Sequence, residues 1–237
     1  MTQKIKTSIL LPVYNEEKTI ERIIGEINIV DKNYSIIIID DDSRDGTSEI
    51  IKRVKDKYNI RYYVRKYEKG YGSALIYGFN KVKESDIVIT MDADLSHDPS
   101  VIPCLIREIK NGYDVVIGSR YITGGEIRSW PLFRRITSKL VNFLVAISLR
   151  TGIKDNTSGY RAYSSQAISK LLKKINSNGY CVLEEILYWA KQQNLKCKEI
   201  PIVFTDRKEG VSKAKMFRES SQLLSLILTL RKSKSIR

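Results

Sequence analysis

The chain has 237 residues, of which 42% are hydrophobic and 29% charged, so it is long enough to bury the core of one large domain. Its formal net charge of +14 indicates an anionic partner (nucleotide phosphates, nucleic acid or an acidic membrane surface), unless the excess Lys makes only a solvated basic surface. Three cysteines without metal-ligand spacing, one histidine, a polar N-terminus and no apolar run of about 18 residues argue against a disulfide framework, a histidine metal site, a signal peptide and a membrane span.

Short apolar runs rich in Ile and Val alternate with helical patterns along the first half of the chain. The predicted strands cover residues 7–12, 35–39, 61–64, 87–91 and 115–117. The predicted helices between them cover residues 17–30, 48–58, 73–82 and 100–111. Continuous β-branched runs separated by helices are typical of a mostly parallel sheet with helices on both faces. The pattern therefore predicts an α/β fold that binds its ligand at the carboxyl ends of the strands.

The alternation weakens after residue 121. The remaining helices are predicted at residues 132–149, 183–193 and 217–230, and an edge strand at 197–204. Loops are predicted at residues 124–129, 155–161 and 207–215, the last of them basic. Because no repeat or linker marks a second domain, we expect one domain over residues 1–215. An amphipathic helix with a basic tail is expected over residues 216–237.

Polar residues collect after four of the predicted strands. These segments read PVYNEE (12–17), DDDSRDGT (40–47), DADLSHDP (92–99) and GSRY (118–121). Turn formation and helix capping, for example by Thr47 or Ser48, account for the Asn, Ser and Gly residues. Capping does not account for four carboxylates at one edge of a sheet: Glu16, Asp41, Asp92 and Asp94. Since buried carboxylates are costly without a cation or ligand, these residues predict a binding site.

Asp92 and Asp94 are spaced as D-x-D at the end of a buried strand. Carboxylate oxygens suit Mg²⁺ or Mn²⁺, which proteins commonly share with substrate phosphates. The chain has neither a G-x-x-x-x-G-K-[ST] loop nor a G-x-G-x-x-G turn, so a metal ion rather than a glycine-rich loop is expected to neutralise a diphosphate. A D-x-D alone occurs by chance in many proteins, and its position at the strand end strengthens the interpretation.

Eight segments together resemble family 2 glycosyltransferases in order and spacing over about residues 6–215. They are LPVYNEE, IIIDDDSRDGT, KGYGSAL, MDADLSHDP, IGSRY, WPLFRRITSK, TSGYR and DRKEGVSK. Within that family the chain is most similar to the polyprenyl-phosphate glycosyltransferases of the dolichol-phosphate mannose synthase group. The resemblance implies a GT-A (Rossmann-like) fold. It also implies inverting, metal-dependent transfer of mannose from GDP-mannose to dolichyl or another polyprenyl phosphate.

The resemblance implies roles for individual residues as well. Those matched to nucleotide-sugar binding are Pro12, Tyr14, Glu16, Ile39, Asp41, Asp92, Ala93, Asp94, Arg120, Arg207 and Lys213. Asp94 and Ser96 match metal ligands, and Mg²⁺ or Mn²⁺ is the implied cofactor. Those matched to catalysis are Asp94, Arg120, Arg134 and Ser138, the last two near the acceptor phosphate. Because that phosphate is already an anionic nucleophile, the reaction needs cations rather than a catalytic base.

Some positions depart from the family pattern. Asp42 stands where many members have Gly, and Asp98 intrudes between His97 and Pro99. Ser96 is a poorer metal ligand than the Gln of some relatives. These differences leave the donor open, so transfer from UDP-glucose or another UDP-sugar remains an alternative. His97 is expected to form a turn or a supporting hydrogen bond.

A lipid acceptor implies peripheral contact with a membrane, at its cytoplasmic face for a cytoplasmic protein of this family. The apolar run at residues 223–230, with basic residues after it, is suited to a membrane interface, to a small membrane subunit or to packing on its own domain. Residues 141–149 offer a second membrane contact. These three arrangements remain open at this point.

Two other classes of function are compatible with part of the sequence, namely a nucleotidyltransferase and a basic nucleic-acid-binding protein. A nucleotidyltransferase also uses paired carboxylates with Mg²⁺, but the acidic PVYNEE segment stands where a glycine-rich basic signature would be expected. A basic nucleic-acid-binding protein would account for the charge. However, the 14 tyrosines are not interleaved with basic residues on one strand face, so no nucleic-acid partner is expected.

Overall fold

The computed structural model describes residues 5–205, 222–223 and 225–230. The strands are β1 (Thr7–Val13), β2 (Ser35–Asp40), β3 (Ile60–Val64), β4 (Ile87–Thr90), β5 (Val115–Ser119), β6 (Glu126–Arg128), β7 (Arg161–Ser164), β8 (Cys197–Pro201) and β9 (Val203–Thr205). The helices are α1 (Ile20–Val30), α2 (Thr47–Val54), α3 (Tyr71–Lys81), α4 (Ile102–Lys110), α5 (Leu132–Leu149), α6 (Ser165–Leu171) and α7 (Val182–Gln192).

Seven strands form one sheet in the order β3-β2-β1-β4-β7-β5-β8. All neighbouring pairs are parallel except those made by β7, which is antiparallel to both β4 and β5. A separate ribbon pairs β6 with β9. The predicted α/β fold with a mostly parallel sheet is therefore confirmed.

Alternate residues of the central strands face two different helical layers. In β2, Ile36 and Ile38 belong to the core cluster beneath α1, α2 and α4. Ile37 and Ile39 belong to the cluster beneath α3, α6 and α7. Because both faces of the sheet are covered, its central strands can be hydrophobic at every position, which explains the run of four isoleucines.

Three short elements differ from the predicted organisation. β7 was not predicted, and it is inserted between β4 and β5 with α6 directly after it. β6 lies within residues 124–129, which were expected to form a loop. The single strand predicted over 197–204 is two strands that belong to different sheets. Elements of three or four residues are too short to show a hydrophobic period, so the alternation could not reveal them.

The described part of the C-terminal segment is helical and packs on α5 and α7. Leu230 is buried in a small cluster with Val145, Leu149 and Tyr188. The Tyr188 hydroxyl donates a hydrogen bond of 3.1 Å to the carbonyl oxygen of Leu230. Of the three arrangements open for this segment, packing on its own domain has these contacts in its favour. Within the residues described, no helix has the length and apolar composition needed to cross a membrane.

The start of α3 is fixed by close contact with the loop at residues 176–180. The backbone N–H groups of Gly72 and Ser73 both donate to the carbonyl oxygen of Asn178, at 2.9 and 3.3 Å. A Cβ atom at Gly72 would overlap with the carbonyl oxygens of Ser177 and Gly179. A residue without a side chain is therefore required where this loop crosses the helix.

We expect Gly72→Ala to lower the free energy of unfolding by about 1–3 kcal/mol, because backbone atoms must move to admit the methyl group. Gly25→Ala in α1 is the matched control, since its Cβ would lie 3.9 Å from its nearest neighbour, the Tyr58 hydroxyl oxygen. That change should stabilise the protein by about 0.4–1 kcal/mol. Urea unfolding of both variants measures the difference, and equal stability of the two would contradict the close contact.

Candidate active site

A pocket of about 420 Å³ opens at the carboxyl ends of β1, β2 and β4. Six predicted site residues line it, namely Pro12, Tyr14, Glu16, Asp41, Asp92 and Ala93. Lys69, Gly70, Tyr71 and Tyr180 complete much of the wall. Ile39, matched to the base and ribose, is a residue of β2 whose side chain is fully buried beneath α3, and it is not among the residues that line the pocket. The strand ends thus meet as predicted, although one predicted residue serves the core.

Asp41 is bound within the protein by a buried arginine that the sequence did not single out. Arg65 donates to Asp41 Oδ1 through Nε, at 2.8 Å, and through Nη2. The backbone N–H of Gly70 donates to the other carboxylate oxygen at 2.7 Å. Asp41 therefore neutralises a buried cation and anchors the turn before α3, which shapes the pocket wall.

The opening of the pocket carries a lysine between an aromatic ring and a carboxylate. Lys69 Nζ lies 5.7 Å from the centre of the Tyr14 ring and 3.6 Å from Asp42 Oδ2. Asp42 has a positive φ of 60°, the conformation that a glycine would adopt without strain at this strand end. The departure at Asp42 therefore adds a charge that partners Lys69 at the pocket mouth.

Two stacked tyrosines form the opposite wall. The rings of Tyr71 and Tyr180 lie 4.7 Å apart and nearly parallel. Glu185 positions the loop before Tyr180 by accepting hydrogen bonds from the backbone N–H groups of Asn176 and Ser177. Neither tyrosine was predicted as a site residue. Tyr180 could not be linked to the pocket from the sequence, because it reaches it from a loop more than 80 residues beyond the D-x-D segment.

The D-x-D turn is held by the single histidine. The backbone N–H of Asp92 donates to His97 Nδ1 at 3.1 Å, and the imidazole stacks on Tyr160 at 4.9 Å. Burial lowers the pKa of His97 to about 4, so the ring is neutral at neutral pH. Because Nδ1 accepts the hydrogen bond from Asp92, the ring proton lies on Nε2. The backbone N–H of Ser96 donates to Asp94 Oδ1 at 3.0 Å. His97 has the supporting hydrogen bond expected of it.

The residues predicted to hold a metal ion fit one that is shared with a ligand. No cluster of three or more His, Cys, Asp or Glu side chains suitable for a metal occurs in the described part of the chain. Ser96 Oγ is buried and has no hydrogen-bond partner among the described residues. Mg²⁺ is usually held by one or two carboxylates with phosphate oxygens and water, which is what Asp94 and its neighbours can offer.

A second arginine lies in an almost fully buried ion pair. Arg120 donates to Asp155 from Nε at 2.8 Å, from Nη2 at 2.7 Å and from its backbone N–H at 2.9 Å. Its Nη2 also donates to Thr157 Oγ1 at 2.7 Å. Burial alone would raise the pKa of Asp155, but the Arg120 guanidinium outweighs it and holds the pKa below its usual range. Asp155 therefore keeps its charge and fixes the direction of Arg120.

Arg134 and Ser138, on α5, lie beside Arg120. The ring of Trp130 is 4.1 Å from the guanidinium carbon of Arg134 and 5.6 Å from that of Arg120. The Tyr121 hydroxyl donates to Ser138 Oγ at 2.7 Å. Two cationic groups thus lie against Trp130, and the Ser138 hydroxyl is bound to Tyr121, whose ring also lies against Arg120. Arg207 and Lys213, predicted to close over the site, lie outside the described residues.

The outer face of α5 is apolar and open to solvent. The helix contains no acidic residue, and its exposed large side chains range from 37% exposed at Val141 to 74% at Phe133. They are Leu132, Phe133, Ile136, Leu140, Val141, Phe143, Leu144 and Ile147. Soluble proteins rarely expose so many neighbouring apolar side chains, and where they do, the patch commonly binds a protein, a membrane or a ligand.

Comparison with known proteins gives a consistent result. Residues 8–172 match Glycosyl transferase family 2. A dolichol-phosphate mannosyltransferase of Pyrococcus furiosus is 39% identical over 215 residues, covering 89% of this chain and 60% of that protein. A polyprenol monophosphomannose synthase of Mycolicibacterium smegmatis is 34% identical over 213 residues, covering 88% of this chain and 80% of that one. The chain thus spans less than two thirds of the first relative.

Solved structures support the fold. Glucosyl-3-phosphoglycerate synthase from Mycobacterium tuberculosis, in complex with Mn²⁺, UDP and glucosyl-3-phosphoglycerate, has a TM-score of 0.75 and 20% identity, covering 95% of this chain and 80% of that one. The same enzyme with Mg²⁺ and UDP gives 0.75 and 20%, covering 95% and 79%. At this identity the similarity concerns the fold alone, and it confirms the predicted GT-A fold.

We expect Asp155→Asn to lower the free energy of unfolding at neutral pH by about 3–5 kcal/mol, because it leaves Arg120 buried without its charged partner. Since the pKa of Asp155 is lowered on folding, its contribution is present at neutral pH and is lost as the pH falls below about 4. Urea unfolding at several pH values measures both effects. A loss that is the same at pH 3 and pH 7 would exclude an ionised Asp155. Replacing both partners, as Arg120→Met with Asp155→Leu, should cost less than Asp155→Asn.

Proposed function

The chain belongs to glycosyl transferase family 2, and on that premise we propose that it transfers mannose from GDP-mannose to dolichyl or another polyprenyl phosphate. The observation that carries the proposal is the two-part site. A pocket lined by Asp92 and Ala93 lies at the sheet edge, and the cationic residues Arg120 and Arg134 converge beside an apolar helix. The relatives at 34–39% identity are named for mannosyl transfer to dolichol or polyprenol phosphate, which supports the choice of sugar and acceptor.

The pocket has the size and polarity for a nucleotide-sugar. Its volume of about 420 Å³ lies in the range of small-molecule sites. Tyr14 and Lys69 at the mouth offer a ring and a cation to the nucleoside, while Asp92 and Ala93 lie along the path of the diphosphate. A UDP-sugar is the alternative donor, because the structural neighbours were solved with UDP.

A divalent metal completes the donor site in this proposal. Asp94 and Ser96 would hold Mg²⁺ or Mn²⁺ against the donor diphosphate, with Asp92 two positions before Asp94. When bound, the ion would supply positive charge to the leaving group. The metal-containing complexes of the structural neighbours support this choice.

The protein's own groups would bring two anions together. The acceptor phosphate is already charged, so no base has to remove a proton. Its oxygen would attack the anomeric carbon while the bond from that carbon to the diphosphate oxygen breaks and GDP leaves, which inverts the configuration. Arg134 and the Ser138 hydroxyl would bind and orient this phosphate, and Arg120 would stabilise the negative charge that develops on the leaving diphosphate. Because Asp155 and Thr157 already fix Arg120, little reorganisation is needed when the substrates arrive.

The apolar face of α5 supports peripheral contact with a membrane, where the lipid acceptor resides. Arg134 and Ser138 lie on the same helix, and Arg135, Lys139 and Arg150 are exposed along it. Apolar side chains with cations beside them suit the interface of an anionic bilayer. We place this contact at the cytoplasmic face, and a small membrane subunit covering α5 is the alternative.

We expect GDP-mannose with Mn²⁺ to raise the melting temperature of the protein, and UDP-sugars to raise it less. A ligand that binds only the folded state at 100 times its dissociation constant adds about 2.7 kcal/mol to stability. Asp94→Asn should abolish the metal-dependent part of the shift and the transfer activity.

The control for that experiment is Asp98→Asn, which changes an acidic residue four positions away that caps the turn before α4 by accepting from the Ser100 N–H. It should retain the metal-dependent shift. A larger shift with UDP-glucose than with GDP-mannose would replace the proposed donor. No shift with any nucleotide-sugar would refute the donor site.

We also expect the triple change Leu140→Gln, Phe143→Gln and Ile147→Gln to weaken binding to vesicles that contain anionic lipid, because it removes apolar area from one face of α5. Ile29→Gln, which changes an even more exposed apolar side chain on α1, is the control and should leave binding unchanged. Co-sedimentation with vesicles measures both. If Leu228→Gln weakens binding and the triple variant does not, the C-terminal helix rather than α5 makes the contact.

A further inference from the structure

We propose that Asn142 is a positioning residue that fixes the first half of α5 against the loop holding Arg120, and thereby sets where Arg134 and Ser138 stand relative to Arg120. The expected effect on the rate rests on the proposed function. The attachment of α5 to the loop that holds Arg120 does not, because it is seen directly in the contacts of the described residues.

The first half of α5 has no buried side chain. Between Leu132 and Val141 every residue is exposed or partly exposed, and the buried residues of the helix are Asn142, Val145 and Leu149. Val145 and Leu149 pack in the small cluster with Leu230 at the far end of the helix. Asn142 is therefore the first residue of α5, counted from the end that carries Arg134, to enter the protein interior.

Asn142 uses both ends of its amide there. Its Oδ1 accepts a hydrogen bond of 2.6 Å from the backbone N–H of Asn156. Its Nδ2 donates to Thr157 Oγ1 at 3.2 Å and to the carbonyl oxygen of Ser138, one turn earlier, at 2.9 Å. One buried side chain thus joins the turn that carries Ser138 to two consecutive residues of the 155–157 loop.

The same loop holds Arg120. Thr157 Oγ1, which accepts from Asn142, also accepts from Arg120 Nη2 at 2.7 Å. Asp155 binds Nε and Nη2 of the same guanidinium. A continuous series of hydrogen bonds therefore runs from Ser138 through Asn142 and Thr157 to Arg120, and a shift of α5 is passed to the guanidinium.

An apolar residue at position 142 would break this series at its centre. Thr157 Oγ1 would lose one of its three partners, the others being Arg120 and Asp155. The Asn156 N–H would be buried without an acceptor. The first half of α5 would keep the contacts of Ser138 with Tyr121, of Arg135 with the Trp130 carbonyl oxygen and of Arg134 with the Trp130 ring, none of which involves a buried residue of the helix. A displacement of about 1 Å between reacting groups can lower a rate by about 100-fold.

The test compares Asn142→Ala and Thr157→Val with Ser8→Ala. Thr157→Val is nearly isosteric and removes only the bridging hydroxyl. Ser8→Ala removes a buried hydrogen bond of 2.6 Å to Ser85, made by a strand outside this network, and so provides a comparable structural loss. We expect the first two variants to lower kcat by about 10- to 100-fold with the Kd of the nucleotide-sugar nearly unchanged. The control should keep the wild-type kcat.

The double variant Asn142→Ala with Thr157→Val should have the kcat of the slower single variant, because both changes break one series of contacts. Multiplicative losses would show two independent effects and overturn the inference. A variant that melts at lower temperature but keeps the wild-type kcat would likewise reduce Asn142 to a structural role.

A measurement without turnover separates this inference from the proposed function. The Arg120 Nε–H, held by Asp155, should give a slowly exchanging ¹⁵N NMR signal that is assignable through Arg120→Lys. Exchange should become faster in Asn142→Ala and Thr157→Val and stay unchanged in Ser8→Ala. Absence of transfer by the wild-type protein would refute the proposed function alone, while unchanged Arg120 exchange in both variants would refute the role of Asn142.

Discussion

Arg120 and Asp155 are both almost completely buried, and each is the main charged partner of the other. Neither could be buried alone, because the cost of removing an ion from water is repaid only by a close and well-oriented counter-ion. The pair therefore obliges the end of β5 and the loop before β7 to fold together, although 35 residues separate the two side chains. Helix α5 lies between the two residues in sequence, so the chain that leaves β5 and forms α5 must come back to Arg120 before β7 begins.

The antiparallel strand β7 makes that return possible. Its first residue, Arg161, is completely buried and donates to the carbonyl oxygens of Ser158, Asn156 and Leu183. Arg161 is paired in register with Thr90 of β4 and Ile117 of β5. The loop preceding it consequently emerges at the edge where the D-x-D segment leaves β4. On the other side of the D-x-D segment, Arg65 and Asp41 form a second buried pair that shapes the pocket.

The parts of the site that could be predicted from the sequence are those in which the polar side chains directly follow a strand along the chain. Asp92 and Asp94 directly follow an apolar run, so their position at the sheet edge follows from the fold class. Partners far apart in the chain give no such signal: Arg65 is 24 residues from Asp41. The position of Ile39 was inferred from resemblance, whereas strand alternation turns its side chain into the core beneath α3.

Helix α5 shows why hydrophobic periodicity alone does not orient an element. Ile136, Leu140, Phe143 and Ile147 recur at helical spacing, and in a water-soluble protein such a stripe normally covers the core. Here the stripe points outward, and the inner face carries Asn142 with Val145 and Leu149. Periodicity identifies residues that share a face of a helix. Whether that face is turned toward the core depends on the contacts that the rest of the protein offers to the other face. In α5 the part of the inner face nearest Arg134 is occupied by the hydrogen bonds of Asn142 to the loop that holds Arg120. A helix attached through polar groups keeps its apolar side for a partner and its position for the site. The transfer that we propose would require both, because a charged lipid headgroup would have to reach Arg134 while its hydrocarbon chain stays out of water.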